Sequence, residues 1–139
     1  MISLDLARAL ADAGLQWKPV SGDRFTIDQP DLTGEVFTVS DMTVEPHDFS
    51  TGTVLGFNGT TEWALDSVEL EETLWLPRED QLRELLGGTF RGLERENGHF
   101  RVRATFPAGG DSEDVEHAAP AAADAYGAAL LDLIARSDG

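Results

Sequence analysis

The run Leu93-Glu94-Arg95-Glu96-Asn97-Gly98-His99-Phe100-Arg101-Val102-Arg103-Ala104-Thr105-Phe106 decides how the rest of this chain is read. Asn-Gly is the favoured pair for a two-residue type I′ hairpin turn, because both central residues need positive φ. Beyond it, Phe100, Val102, Ala104 and Phe106 fall on one side of a strand, and His99, Arg101 and Arg103 fall on the other. That alternation marks a strand with one face in a core and one in water. The stretch therefore predicts an antiparallel hairpin, and the neighbouring segments can be placed around it.

Toward the C-terminus, Pro107-Ala108-Gly109-Gly110 is expected to end the sheet. Residues 111–118 read as an acidic link in which Asp111-Ser112-Glu113-Asp114 leads into a helix and complements its N-terminal dipole. Pro120 is expected to start that Ala-rich final helix, with Tyr126, Leu130, Leu133 and Ile134 as its buried stripe. Toward the N-terminus, residues 77–86 predict a helix. Pro77 suits its first position, Leu82, Leu85 and Leu86 form the apolar stripe, and Gly87-Gly88 stops it. A shorter helix is expected after Asn58-Gly59, capped by Thr60 or Thr61 and carrying Trp63, Ala64, Leu65 and Val68. The runs 24–27, 35–39, 42–44 and 53–57 read as short strands of a meander. Residues 4–13, between Ser3 and Gly14, read as a first amphipathic helix. The expectation is an α+β fold with a mostly antiparallel sheet of about six short strands, an N-terminal helix, central helices and a C-terminal helix. A length of 139 residues suits one domain, so residues 1–139 are taken as a single acidic domain.

Composition excludes several chemistries. There is no cysteine, which removes disulfides, thiolate metal sites and cysteine nucleophiles. Seven Phe and three Trp provide large core side chains, so disorder is a poor reading despite the charge. The start, Met1-Ile2-Ser3-Leu4-Asp5-Leu6, has no basic leader, and no apolar run reaches membrane-spanning length; the expectation is a cytoplasmic protein without membrane insertion. The net charge of −16 opposes phosphate backbones, so nucleic acid is not expected as a partner. The acidity reads first as solubility and second as a match for a basic protein partner.

Candidate sites are few. No Gly-Lys-Ser/Thr follows the glycines, so no phosphate loop is present. His47, His99 and His117 are scattered, with none spaced to share a metal, and His99 and His117 read as facing solvent. Asp41…His47-Asp48 is the one cluster with acid–base character. Ser40, Ser50 and Ser67 lack a nucleophile elbow. No catalytic residue, metal site or cofactor is assigned. The segment that stands out is Phe57-Asn58-Gly59-Thr60-Thr61-Glu62-Trp63-Ala64-Leu65-Asp66, read as a strand-to-helix junction. There Asn58, Thr60, Glu62, Trp63 and Asp66 would form a binding site beside backbone N–H donors. The competing reading makes Asn58 and Thr60 turn and cap residues and sinks Trp63 in the core.

Three runs carry a resemblance: Val39-Ser40-Asp41-Met42-Thr43-Val44, the segment from Phe57 to Val68, and Leu74-Trp75-Leu76-Pro77-Arg78-Glu79-Asp80-Gln81-Leu82-Arg83-Glu84-Leu85-Leu86. Over nearly its whole length the chain resembles a family of short acidic actinobacterial proteins, some of which carry the label "pilus assembly protein CpaE". The resemblance implies a pilus-assembly context. It brings no catalytic residues, because proteins of that name resemble ATPases with a phosphate loop that this chain lacks. The function expected is a non-enzymatic cytosolic protein-interaction module. Two alternatives stay open: a small-molecule binding domain or enzyme using residues 57–66, and an acidic inhibitor or immunity-type protein for a basic partner.

Overall fold

The computed structural model describes residues 1–27, 35–39, 44–49, 52–57, 67–69 and 72–138. The fold is α+β, and its sheets are antiparallel. Among the described residues nine strands form three sheets of three, and six of the nine overlap the runs expected from the sequence. The chain divides into two compact units, residues 17–76 and residues 1–16 with 77–139.

In the first of these units, β1 (Arg24–Ile27) lies between β2 (Phe37–Thr38) and β6 (Thr73–Trp75). Phe25 is opposite both Phe37 and Trp75, so three aromatic side chains line up across the sheet. Trp17 joins them, with its ring centroid 5.3 Å from that of Phe25 and 6.5 Å from that of Trp75. Trp17 Nε1 donates to Asp23 Oδ2 at 2.9 Å, and the Val20 N–H donates to the same oxygen at 3.1 Å. Asp23 is only 1% exposed, so these donors meet a need that water cannot. Trp75 differs: its buried Nε1 has no hydrogen-bond partner. A second sheet runs β3 (Val44–Phe49), β4 (Gly52–Phe57), β5 (Ser67–Glu69). Val68, expected in a short helix, instead pairs with Leu55 in this sheet. Its β-branched side chain suits a strand, and that preference prevails over the helical spacing.

The other unit is built on the expected hairpin. β7 (Phe90–Glu96) and β8 (His99–Ala108) meet at Asn97 and Gly98, with φ of 53° and 78°. Gly109 and Gly110, also at positive φ, fold the chain back again into β9 (Asp111–Ala119). The expected link at 111–118 is therefore a strand, paired to β8 without a break from Phe100↔Ala119 to Ala108↔Asp111. The Gly-Gly pair makes a two-residue return possible, and Val115, His117 and Ala119 alternate onto the same side as the β8 core residues. On that side Val102, Ala104 and Phe106 are buried.

α3 (Ala122–Asp138) packs on β8 and β9, with α1 (Leu4–Asp12) and α2 (Glu79–Leu86) beside it. Because neighbours surround α3, its burial is wider than a single stripe. Ala122, Ala123, Ala125, Tyr126, Ala129 and Leu130 are buried, whereas Leu133 and Ile134 are only half-buried. Small residues let α1 come close: a Cβ on Gly127 would lie 2.7 Å from Leu6 Cδ2 and 3.2 Å from Ile2 Cδ1. Ser3 caps α1 through its Oγ, which accepts from the Leu6 N–H, and Asp124 of α3 accepts from the Ser3 N–H at 2.8 Å. α2 starts later than expected. Arg78 is its N-cap and Pro77 lies just before the helix, while the Gln81 side chain accepts from the Arg78 N–H. Leu82 and Leu86 are buried one turn apart, and Leu85 is exposed.

Two outcomes follow from this packing. Gly127→Val should destabilise by roughly 1–3 kcal/mol, because a branched side chain must displace Leu6 and Ile2. A urea midpoint unchanged from wild type would show that α1 does not hold its seat on α3. Trp17→Phe should cost about 1–3 kcal/mol by stripping a donor from buried Asp23. Trp75→Phe removes a donor with no acceptor, so it should cost clearly less in the same measurement.

Candidate functional site

The residues singled out from the sequence, Asn58, Thr60, Glu62, Trp63 and Asp66, lie outside the described residues, as does Asp41. What the structure shows is their frame: β4 ends at Phe57, and β5 begins at Ser67. His47 and Asp48 are successive positions of β3, opposite Val54 and Thr53. His99 opens β8, exposed, with Nδ1 3.4 Å from the Asn97 carbonyl oxygen. Among the described residues no group of three or more His, Asp and Glu side chains is placed to hold a metal ion. Likewise, no helix among them is long and apolar enough to cross a membrane.

Among the described residues, a row of paired charges stands on the solvent side of the β7-β8-β9 sheet. Pairing parity fixes which residues stand there: Arg101 and Arg103 on β8, Glu94 and Glu96 on β7, Asp114 and Glu116 on β9. The central arginines bridge the flanking acids. Arg103 Nε is 2.8 Å from Glu94 Oε1, and Arg101 is 3.6 Å from Glu96 and 3.8 Å from Glu116. These are exposed pairs, each worth little in stability, so they set the pattern of the face more than its strength.

A β-bulge refines this face. The register slips between Phe90 and Gly92, leaving Arg91 without an opposite number on β8. An extra residue bends a strand and re-aims its side chain. Arg91 turns toward the sheet, its Nε 3.2 Å from Thr105 Oγ1 and its Nη1 2.8 Å from the Gly88 carbonyl oxygen. Thr105 passes the polarity on, donating to Asp114 Oδ1 at 2.8 Å. Gly92 leaves room for the Arg103 guanidinium, whose Nη2 would lie 3.1 Å from any Cβ there. The result is an open hollow of about 410 Å³, lined by Arg91, Arg103 and Thr105 and by Asp114 and Glu116 of the edge strand. Sequence reading missed Arg91, because a bulge leaves no mark in an alternation pattern. It missed Asp114 and Glu116 because it placed them in a link.

On the opposite side of the sheet, the acids and the third histidine serve packing. His117, read as solvent-facing, is half-buried, and its Nε2 is 3.0 Å from Asp132 Oδ2 on α3. Arg136 donates to Asp132 Oδ1 at 2.8 Å, pairs with Glu113 and sits over the Phe106 ring. These four charged or polar side chains clamp α3 to β9. Burial pushes the Asp132 carboxyl up, but the hydrogen bonds from Arg136 and His117 outweigh it and hold its pKa below the ordinary 3.8.

The sign of the pH effect follows. A carboxyl with a lowered folded pKa contributes stability above its unfolded value and loses it as pH falls through the folded one. The stability gap between wild type and Asp132→Asn should therefore be largest above pH 3.8 and close as the pH drops below it. A gap that stays constant down to pH 2 would show that Asp132 acts by shape alone.

Comparison with protein-family models, with curated proteins and with solved structures finds no match to this chain.

Proposed function

We propose that this chain is a non-enzymatic protein-interaction module that takes a basic partner on the solvent side of its C-terminal sheet. The observation that carries the reading is the placement of Asp114 and Glu116. Both are exposed on β9, where they line the open, charged hollow on the polar face of the sheet rather than an enclosed apolar pocket. Broad polar faces suit macromolecules, whereas small ligands are mostly held in enclosed, largely apolar pockets. A net charge of −16 steers cationic partners in and repels phosphate backbones. The arginines of β8 give the face a fixed charge pattern, which favours one register of a partner over others. An acidic inhibitor of a basic protein is the form of this reading that matches the charge best. The resemblance to short acidic actinobacterial proteins labelled for pilus assembly would set such a partner in that machinery.

The test separates this face from the general acidity. An arginine-rich peptide is titrated calorimetrically at 150 mM NaCl into wild type, Asp114→Asn/Glu116→Gln, and Asp5→Asn/Asp12→Asn as a control of equal charge. The β9 pair should weaken binding roughly 5–10-fold, and the α1 pair should change it little. Equal losses from both pairs would show that the peptide reads net charge and not this face.

A further inference from the structure

We infer that the free edge of β9 accepts an extended, positively charged segment of a partner as a fourth strand of the C-terminal sheet. This rests on the reading of the chain as a binder of basic proteins and adds how the partner is held.

β9 spans nine residues and is hydrogen-bonded along its length to β8 on one side; among the described residues no strand pairs with its other edge. In an antiparallel ladder alternate residues turn both N–H and C=O toward one neighbour, so about half of the main-chain groups of β9 point to the free side. That side is open to solvent: Asp111, Ser112, Glu113, Asp114, Glu116 and Ala118 are all exposed. Edge strands are usually kept short, bulged, or broken by proline. β9 is none of these, being proline-free and in unbroken register with β8. The opposite edge, β7, does carry a bulge, at Arg91. Among the described residues, what guards β9 is its charge.

That charge also chooses the occupant. A second copy pairing edge to edge would set Asp111, Glu113, Asp114 and Glu116 against the same acids, and like charges facing each other across a ladder are destabilising. A cationic strand reverses the sign. Asp114 and Glu116 stand on the solvent side of the sheet, with Val115 between them on the helix side, half-buried. The segment that fits therefore carries Lys or Arg at alternate positions, with an apolar residue between. Main-chain bonds would give affinity, and the alternating side chains would give selectivity.

The test uses the full chain, labelled with 15N, and three peptides of alternating Arg and Val. One is unmodified, and the other two are N-methylated on alternate residues so that each blocks one main-chain edge and keeps the charge. The unmodified peptide should shift the amides of residues 111–119 as a contiguous set. One methylated peptide should bind at least tenfold more weakly, and the other should bind like the parent. If all three bind equally, with shifts spread over the solvent side of the sheet, strand addition fails and charge recognition stands. If none binds, the basic-partner reading fails with it. If the free chain sediments as a dimer paired through β9, the occupant is a second copy and the inference is wrong.

Discussion

Two positive-φ turns control the C-terminal unit, because side-chain parity in a sheet is inherited from the turn before it. Asn97-Gly98 closes the first hairpin with no spare residue, so Val102, Ala104 and Phe106 must fall on the side that meets α3. Gly109-Gly110 repeats the device and passes the same parity to β9. A slip of one residue at either turn would turn core side chains to water and charged ones to the core. Neither turn tolerates an ordinary side chain well, since positive φ is strained for residues with a Cβ.

Parity then sorts the charges into two groups with different work. On the solvent side, arginines of the central strand lie between carboxylates of both neighbours, an arrangement that spaces like charges apart. On the helix side, Glu113 and His117 reach α3 and meet Arg136 and Asp132. A charged residue pointing inward from an edge strand is costly unless matched, and here each is matched by the helix that covers it. The acidic character of β9 is thus compatible with a strand because Glu113, Asp114, Glu116 and His117 are each tied to a neighbouring element.

α3 meets the same constraint through size. A helix surrounded by two others and a sheet has little room on any side, and Ala and Gly occupy its buried positions where larger residues would hold the neighbours off. Tyr126 and Leu130 are the exceptions, and the Tyr126 ring meets that of Phe90 at a tilt, with 5.7 Å between centroids. In the other unit the equivalent organiser is Trp17, which ties an aromatic row to buried Asp23 by one indole N–H.

Where local chemistry is self-sufficient, the sequence determined the outcome. Asn97-Gly98 and the alternation after it defined the hairpin, Ser3 and Gly14 bracketed α1, and the Leu82–Leu86 spacing marked α2. Each depends on φ preference, capping or period within a few residues. The tertiary structure decided the rest, because the deciding contacts are remote in sequence. Residues 111–118 are rich in acids and read as a link, yet with Ala119 they form a strand once Arg101, Thr105 and Arg136 supply partners from two other elements. Val68 followed a helical spacing and paired with Leu55 in a sheet. The bulge that re-aims Arg91, and with it the hollow on the sheet, depends on register between two strands, which no single segment encodes.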